Sequence, residues 1–508
     1  MPSPPRNLRA MLPGAQPAVV DGRHLTIEDV VAVGRHRAAA ALDDAARLRM
    51  EQTHAVVVEA LAAEASVYGL TTGVAERKRV RLGPDERHAW NRQLLRSHRV
   101  AQGPPASDEL VRSAMVVLAN SLATGAAGVR PAVVEAVIAA LAQDRMPAVR
   151  TLGSVGQADL GPMADLAEGV VGDSALELEP GEALALLNNN AFAVGAASLA
   201  VHDAELLLAS LDVAAALDLE AFAGNVSPYH PAVAEARPHP GLRRTIERMG
   251  GLLEGSFLYQ PGAARNLQDP LTFRCVPQIH GAARDALAYA RATVQTELNS
   301  SQGNPIVVLS ERRVQSAGNF DVGPVAGALD FARLAMSPVV AAAAERAVKL
   351  LQAPLSGLSS GLAVAPETGD DGLAELAVAV QAVAVEARSL AHPVSADLVS
   401  TSKAEGIEDR ATNAPLAARR LGEMTGLVAR VAAIELVIAA QAVDLRGSSP
   451  LGRGTRRAHA AIRERVVSTG RNDTLPADLE PVVELVASGY LARLDQAPEV
   501  ADPDEDRC

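Results

Sequence analysis

Several polar residues stand where the surrounding pattern asks for apolar ones, and each would need partners to be held there. Asn188, Asn189 and Asn190 interrupt the run ALALLNNNAFAV at a point that should be mid-helix. Asparagine is a poor helix-interior residue and is costly to bury without hydrogen bonds, so the triplet either caps a helix or lines a polar pocket. Gln268, Asp269 and Arg274 form a second cluster beside Asn266. A guanidinium forks onto a carboxylate through two parallel hydrogen bonds, so Arg274 could grip a substrate carboxylate or close an internal salt bridge. Asn304-Pro305 and Gly318-Asn319-Phe320 form a third cluster. Glu386 lies within an Ala/Val run, where an unpaired carboxylate would be expensive. From residue types alone these clusters fit either polar pocket linings or caps and internal salt bridges.

Other chemistries lack their signatures. The 11 histidines form no HExxH or clustered set and there is no CxxC, so no metal site is expected. No GxxxxGK loop and no GxGxxG after a strand is present. Ser400-Thr401-Ser402-Lys403 fits an SxxK pattern, but its companion motifs are missing and it reads as chance.

The elements that must position these clusters read as helices. Apolar residues make up 48% of the 508-residue chain but aromatics only 2%, so the core has to be built from Ala, Leu and Val. Ala and Leu lead the helix propensity scale, whereas a sheet protein of this size would carry more aromatic residues. Thr26 before Ile27-Glu28-Asp29 marks a helix start that runs toward His36, and a second helix is expected over 40–64. Tyr68 to Gly73 reads as a turn-rich loop, Glu76 to Arg87 as a charged surface loop, and Gly153 to Pro162 as a conspicuous loop between helices. Residues 224–241 look irregular. Apolar windows at 282–298, 325–352, 372–391 and 415–446 predict long helices in a central bundle. The expected division is a loose leader over 1–22, a helical region with the site loops over 23–215, the bundle over 216–450, and shorter helices with an acidic tail over 451–508.

The formal net charge of −13 argues against nucleic acid or an anionic membrane as partner. The longest apolar stretch, Leu427 to Leu445, is interrupted by Arg430, Glu435, Gln441 and Asp444, which suits a buried bundle helix better than a membrane span. Cys275 and Cys508 are the two cysteines, so no disulfide framework is expected, and the N-terminus shows no signal-peptide pattern. A soluble, cytoplasmic protein is the expectation.

Taken together, these clusters carry a resemblance. TIEDVVAVGRHR, VYGLTTG, LLRSH, GSVG…DLGPMA, ALLN, RPHPG, NLQDPLTFRCVPQ, ELNSSQGNPIVV, SAGNFDVGPVA, LAHPVSAD and AAIELVIAAQAVDLR occur in the order found in the aromatic amino acid lyases, the histidine and phenylalanine ammonia-lyase family, from residue 26 to 446. The resemblance implies an all-α fold, a homotetramer built on a central helical bundle, and active sites each assembled from three subunits. It implies that Tyr68 is the catalytic tyrosine, a base toward the Cβ proton. It places Arg274 on the substrate carboxylate with Asn319 as helper, Asn188 and Gln268 around the prosthetic group, His98 and Glu386 at the substrate or its amine, and Phe320 as a wall. A tyrosine near its reference pKa of about 10 is a poor base at neutral pH and would need nearby positive charge or hydrogen bonds.

The family makes its electrophile, the methylidene-imidazolone MIO, by cyclising its own Ala-Ser-Gly, with loss of water from the serine. Where the family pattern reads GSVGASGDLAP, this chain reads GSVGQADLGP, so only Gln157 and Ala158 stand between Gly156 and Asp159. No serine remains there to dehydrate. Leu271 stands where the family pattern QDPYSLRC has a second catalytic tyrosine, and Val74 replaces the phenylalanine after the Tyr68 loop. The loop from Lys403, KAEGIEDRAT, is expanded by two residues against the family pattern. An Ala487-Ser488-Gly489 triplet exists, but in a C-terminal context that matches nothing near the family's site. MIO is therefore not expected. The leading expectation is an MIO-independent lyase, cyclase or isomerase acting on a small amino-acid-like carboxylate that brings its own activation, in a specialised biosynthetic pathway. The alternatives are a non-catalytic binding or partner subunit of a lyase-type tetramer, and a conventional ammonia-lyase or aminomutase.

Overall fold

The computed structural model describes residues 17–172, 174, 176–396, 406–447, 450–470 and 478–495. The leader up to residue 16, the string Ser400–Lys403, the start of the expanded loop and the acidic tail lie outside these residues. The described chain is mainly helical, with three short two-stranded ladders. The all-α expectation holds. The long helices run over Ala191–Phe222, Val276–Leu298, Gly323–Leu350 and Ala414–Arg446, with a shorter one over Leu376–Ser389. The Asn triplet is not mid-helix: the chain breaks there between Glu182–Leu187 and Ala191–Phe222.

The chain divides into two compact units whose segments interleave. The first comprises Met1–His202, Tyr289–Asp330 and Pro393–Arg420, and the second Asp203–Ala288, Phe331–His392 and Leu421–Cys508. Expected boundaries at 215 and 450 follow chain order, whereas the units exchange segments through the long helices. Pairing of distant segments is invisible to a linear reading.

In the first unit, Thr26 caps the helix Ile27–Arg35 and forms a reciprocal capping box with Asp29. This helix packs on Asp108–Ala123, which is buried over most of its length. Gly34 lets the two approach, because a Cβ there would meet the Ser113 hydroxyl at 2.4 Å. Residues Ala18–Val20, expected as loose leader, pair in parallel with Ala40–Leu42.

The second unit uses the same device. A Cβ at Gly241 would lie 2.1 Å from the carbonyl oxygen of Gly281, so the helix Pro240–Leu252 can start directly against Val276–Leu298. The segment 224–241 is more ordered than expected, with a turn at Ser227–Tyr229 and a helix at Pro231–Ala236. Proline at their starts fixes φ where the missing N–H costs nothing. Three described helical stretches, Glu182–Phe222, Gly323–Leu350 and Ala414–Arg446, are long and apolar enough to cross a membrane. In Ala414–Arg446, 83% of the most apolar window is buried within the protein, so that apolarity serves packing.

Candidate active site

In the first unit, Tyr68 opens the turn whose Gly69 has φ of +69°. Its phenol oxygen accepts a hydrogen bond of 3.0 Å from the Ala75 amide. Burial raises the Tyr68 pKa above its ordinary value, the Ala75 bond opposes this, and the Glu408 carboxylate adds to the rise. The charge identified near this phenol is therefore negative. Within this chain Tyr68 is a neutral phenol, suited to donate a proton rather than to take one. A small cavity of about 30 Å³ beside Tyr68, lined also by Leu184 and Asn304, has room for water but not for an amino acid. Glu408 was not singled out from sequence, because it fell in a stretch read only as an insertion.

The Gly153–Asp159 loop is anchored at nearly every residue. The Thr412 and Asn413 amides both donate to the Val155 carbonyl, at 3.0 and 2.9 Å. The Thr412 hydroxyl donates to the Gly156 carbonyl at 2.6 Å. Gly156, at φ +76°, is required here: a Cβ would sit 2.2 Å from that hydroxyl. Gln157 bridges to Asp321 along the backbone and donates its side-chain amide to the Asp321 carboxylate at 2.9 Å. The same carboxylate pairs with Arg410. Ala158 takes a positive φ of 56° and points its amide at the Phe320 carbonyl, 3.5 Å away.

Asp159 and the Asn triplet complete the cradle. Asp159 is fully buried and accepts hydrogen bonds from the Ser154 hydroxyl (2.7 Å) and the Ala193 amide (2.8 Å). The latter amide belongs to the first turn of Ala191–Phe222, where helix dipole and free N–H groups favour an anion. Asn188 ends the preceding helix and donates to the Asn304 carbonyl at 2.9 Å. Asn189 takes the Asp159 amide on its carbonyl, and its side chain accepts from Ala191. Asn190 donates to the Phe320 carbonyl at 2.9 Å. The buried Asn190 Oδ1 has no hydrogen-bond partner among the described residues. The triplet is thus both a helix break and a scaffold for the loop.

These residues do not fit MIO. Gln157 and Ala158 carry no β-hydroxyl to lose. Ser154 is followed by valine, and its hydroxyl is engaged by Asp159 and by the Gly156 amide at 3.0 Å. The Ala487-Ser488-Gly489 triplet ends the helix Glu480–Ala487, with Ser488 as its cap.

Burial raises the Asp159 carboxyl to about 6, against the lowering by its two hydrogen bonds. Because the folded pKa exceeds the unfolded value near 4, the folded state holds the extra proton between about pH 4 and 6, and this group's stability contribution falls as pH rises through that window. Asp159→Asn removes the titration. The stability of the native chain relative to that variant should therefore drop by about 3 kcal/mol from pH 4 to pH 7, as read by denaturant melts, the size of a two-unit shift. A difference that stays flat with pH would contradict this.

The remaining residues of the first unit are more loosely placed. His98 caps the helix Arg87–Ser97, with Nδ1 2.8 Å from the Leu94 carbonyl, and is half-buried. Asn319 is exposed and donates to the Ser301 carbonyl at 3.2 Å, while Phe320 is half-buried.

In the second unit, Arg274 ends the one-turn helix Leu271–Arg274 and donates to the Gln268 side-chain oxygen. The internal salt bridge considered from sequence does not form among the described residues. Asp269 instead accepts from the Asn225 amide at 2.6 Å and from Asn266 at 3.3 Å. The buried Arg274 Nε has no hydrogen-bond partner, and no carboxylate engages the guanidinium, among the described residues. The turn beneath it is pinned from inside: Tyr229 donates its hydroxyl to the Phe273 carbonyl, and Arg346 donates to the Thr272 carbonyl at 3.3 Å. Phe273 stacks on Phe222 with ring centroids 4.3 Å apart. Gln268 and Leu271 are exposed. Glu386, expected to be buried, is exposed on the helix Leu376–Ser389; the apolar neighbours that suggested burial include Val378 and Val385, which are themselves exposed.

The structure thus gathers Gly156, Gln157, Ala158, Asp159 and Phe320 with Asn189 and Asn190 around one loop, ties Asn188 instead to the Asn304 carbonyl, and sets Gln268, Leu271 and Arg274 on one turn. Asp321, which holds Gln157, and Arg410, which pairs with Asp321, were missed: one lies in a string used for the resemblance and the other in the expanded loop, but no role was assigned to either there. Among the described residues no group of three or more His, Cys, Asp or Glu is placed to hold a metal ion.

Comparison with known proteins gives a consistent result. Residues 25–464 match the sequence model described as aromatic amino acid lyase. A histidine ammonia-lyase of Symbiobacterium thermophilum is 35% identical over 96% of this chain and 99% of its own length. One of Streptococcus gordonii is 33% identical over 94% and 98%. Among solved structures, the ergothionase of Treponema denticola superposes with a TM-score of 0.87 at 26% identity, covering 94% of this chain and 99% of that one. A tyrosine aminomutase of Streptomyces globisporus gives the same score and identity, over 94% and 98%. With this sequence likeness and fold, the chain belongs to the aromatic amino acid lyase family and is a histidine ammonia-lyase-like protein.

Proposed function

We propose that this protein is an ammonia-lyase-like enzyme that acts at Cα–Cβ of a small amino-acid-like carboxylate and works without MIO. The observation that carries the second half is the loop at Gly156–Asp159, which lacks a serine to dehydrate and is tied down by Thr412, Asp321 and Asn189. Arg274 binds the substrate carboxylate, and Tyr68 donates or returns a proton. Without an electrophile, the substrate supplies the activation: an acidified C–H, a better leaving group, or a conjugated acceptor for addition. One general acid or base is worth only about 10²–10⁴-fold, too little to expel ammonium from an unactivated amino acid.

A second reading is conventional ammonia elimination. The length and evenness of the likeness to histidine ammonia-lyases favour it, and by sequence likeness alone it is the stronger of the two. The tetramer of the family is proposed for this chain too. Exposed apolar side chains on the helices Gly323–Leu350 and Leu376–Ser389, Phe331 at 51% and Val378 at 67%, support that assembly.

The test is turnover of L-histidine, L-tyrosine and L-phenylalanine, and of the unsaturated acids derived from them, by the native chain and Arg274→Ala. Arg274→Ala should raise KM by about tenfold or more through loss of a charge-assisted pair. Elimination of ammonia from the free amino acids by the native chain would establish the second reading. Turnover indifferent to Arg274→Ala would remove the assigned role.

A further inference from the structure

The second unit contains a cavity of about 610 Å³ that the proposed reaction does not use. Its size falls within the ~300–1,000 Å³ range of small-molecule sites. One wall is a single helix face: Arg243, Ile246, Glu247 and Gly250 of Pro240–Leu252 follow the i, i+3, i+4, i+7 spacing. Tyr229 and Ile246 form a buried floor, at 5% and 3% exposure, and the exposed ring of Tyr259 stands at the side. The rim carries both signs of charge, Arg243 against Glu235 and Glu247.

Two features of the lining bear on what the cavity could hold. Arg243 and Glu247 are one helical turn apart, where opposite charges commonly pair, yet neither they nor Glu235 has an ion-pair partner among the described residues. Gly250 sits inside the helix, where glycine weakens helicity relative to alanine, although nothing lies within 4 Å of the Cβ it lacks. Packing does not demand the glycine, and its lack of a side chain leaves that part of the cavity wall open.

An aromatic floor under unpaired charges of both signs fits one ligand chemistry. We propose that this cavity is a second ligand site for a small aromatic zwitterion, a molecule with an aromatic ring, a carboxylate for Arg243 and an ammonium for Glu235 and Glu247. The Tyr229 ring forms part of the floor while its hydroxyl holds the Phe273 carbonyl, next to Arg274. Occupancy of the cavity therefore steadies the Leu271–Arg274 turn; this coupling rests on the role assigned to Arg274 above.

The experiment is calorimetric titration of the full chain carrying Arg274→Ala, so that carboxylate binding at Arg274 is removed, with L-phenylalanine as probe. One molecule per chain should still bind. Gly250→Leu, which fills the cavity, and Arg243→Ala, on its exposed rim, should each weaken binding by about tenfold or more. The single-charge analogues 3-phenylpropanoate and 2-phenylethylamine should bind more weakly by a similar factor. Loss of all binding in Arg274→Ala overturns the proposal, as does native affinity in both cavity variants or equal affinity for the single-charge analogues. Ligand-dependent slowing of amide exchange at Phe273–Cys275, abolished by Tyr229→Phe, supports the coupling; exchange indifferent to ligand overturns it. Failure of the Arg274 role itself would appear in turnover, not in this titration.

Discussion

Tyr68→Phe lowers turnover by about 10²–10⁴-fold, the usual worth of a positioned general acid or base, and leaves the fold in place. Among the described residues the hydroxyl makes one hydrogen bond, accepted from the Ala75 amide, and the ring is half-buried. Its loss should cost only about 1 kcal/mol of stability, so a large fall in rate with a near-native melt separates chemistry from structure. The pH profile gives the direction of proton transfer. Burial and Glu408 raise the phenol above its ordinary value of 10.0. A donor is active in its protonated form, so a Tyr68 limb lies on the alkaline side, with activity falling as pH rises through the raised value. A base would gain activity over the same range. Turnover retained in Tyr68→Phe would remove this residue from the mechanism.

Arg346→Met is the most destabilising single change expected, at about 3–5 kcal/mol. Arg346, Asp218 and Glu435 are all fully buried, with Nε 2.8 Å from Asp218 and Nη2 2.7 Å from Glu435. One cation faces two carboxylates, and burial together with the Glu435 charge pushes the Asp218 carboxyl well above its ordinary value. The cluster is therefore expected to carry a proton on one carboxyl at neutral pH. Removing the arginine leaves a buried negative charge without its partner and releases the Thr272 carbonyl under the Arg274 turn. Glu435→Gln keeps a hydrogen-bonding group of the same shape and should cost less, about 1–2 kcal/mol. Denaturant melts of the two variants check the order. An Arg346→Met chain as stable as the native one would mean the cluster is not an uncompensated-charge trap.

Much of the fold was readable along the chain. Thr26 and Asp29 announced a helix start that the capping box realises; three of the four apolar windows became long helices and the fourth the shorter Leu376–Ser389, while the long helix Ala191–Phe222 lay outside them. Local propensity and periodicity act within a few residues, so they show in the sequence. The cradle around the shortened loop did not, because its partners are remote: Gln157 and Asp321 are 164 residues apart, and Arg410 and Asp321 are 89 apart. Glu386 misled because an Ala/Val run signals a helix without saying which face is buried. The parallel pairing of Ala18–Val20 was hidden by the Pro-rich stretch just before it. Arg274 was found by type and context, but only the structure showed that Asp269 is committed elsewhere and leaves the guanidinium without a carboxylate.

The central claim, that this family member works without MIO, is tested most directly by the intact mass and near-ultraviolet absorbance of the purified native protein. The loop chemistry predicts the mass of the unmodified chain and a spectrum accounted for by its few Trp and Tyr side chains. A mass lower by two waters, or an added band that disappears when the Gly156–Asp159 loop is altered, would contradict the account and restore conventional ammonia elimination.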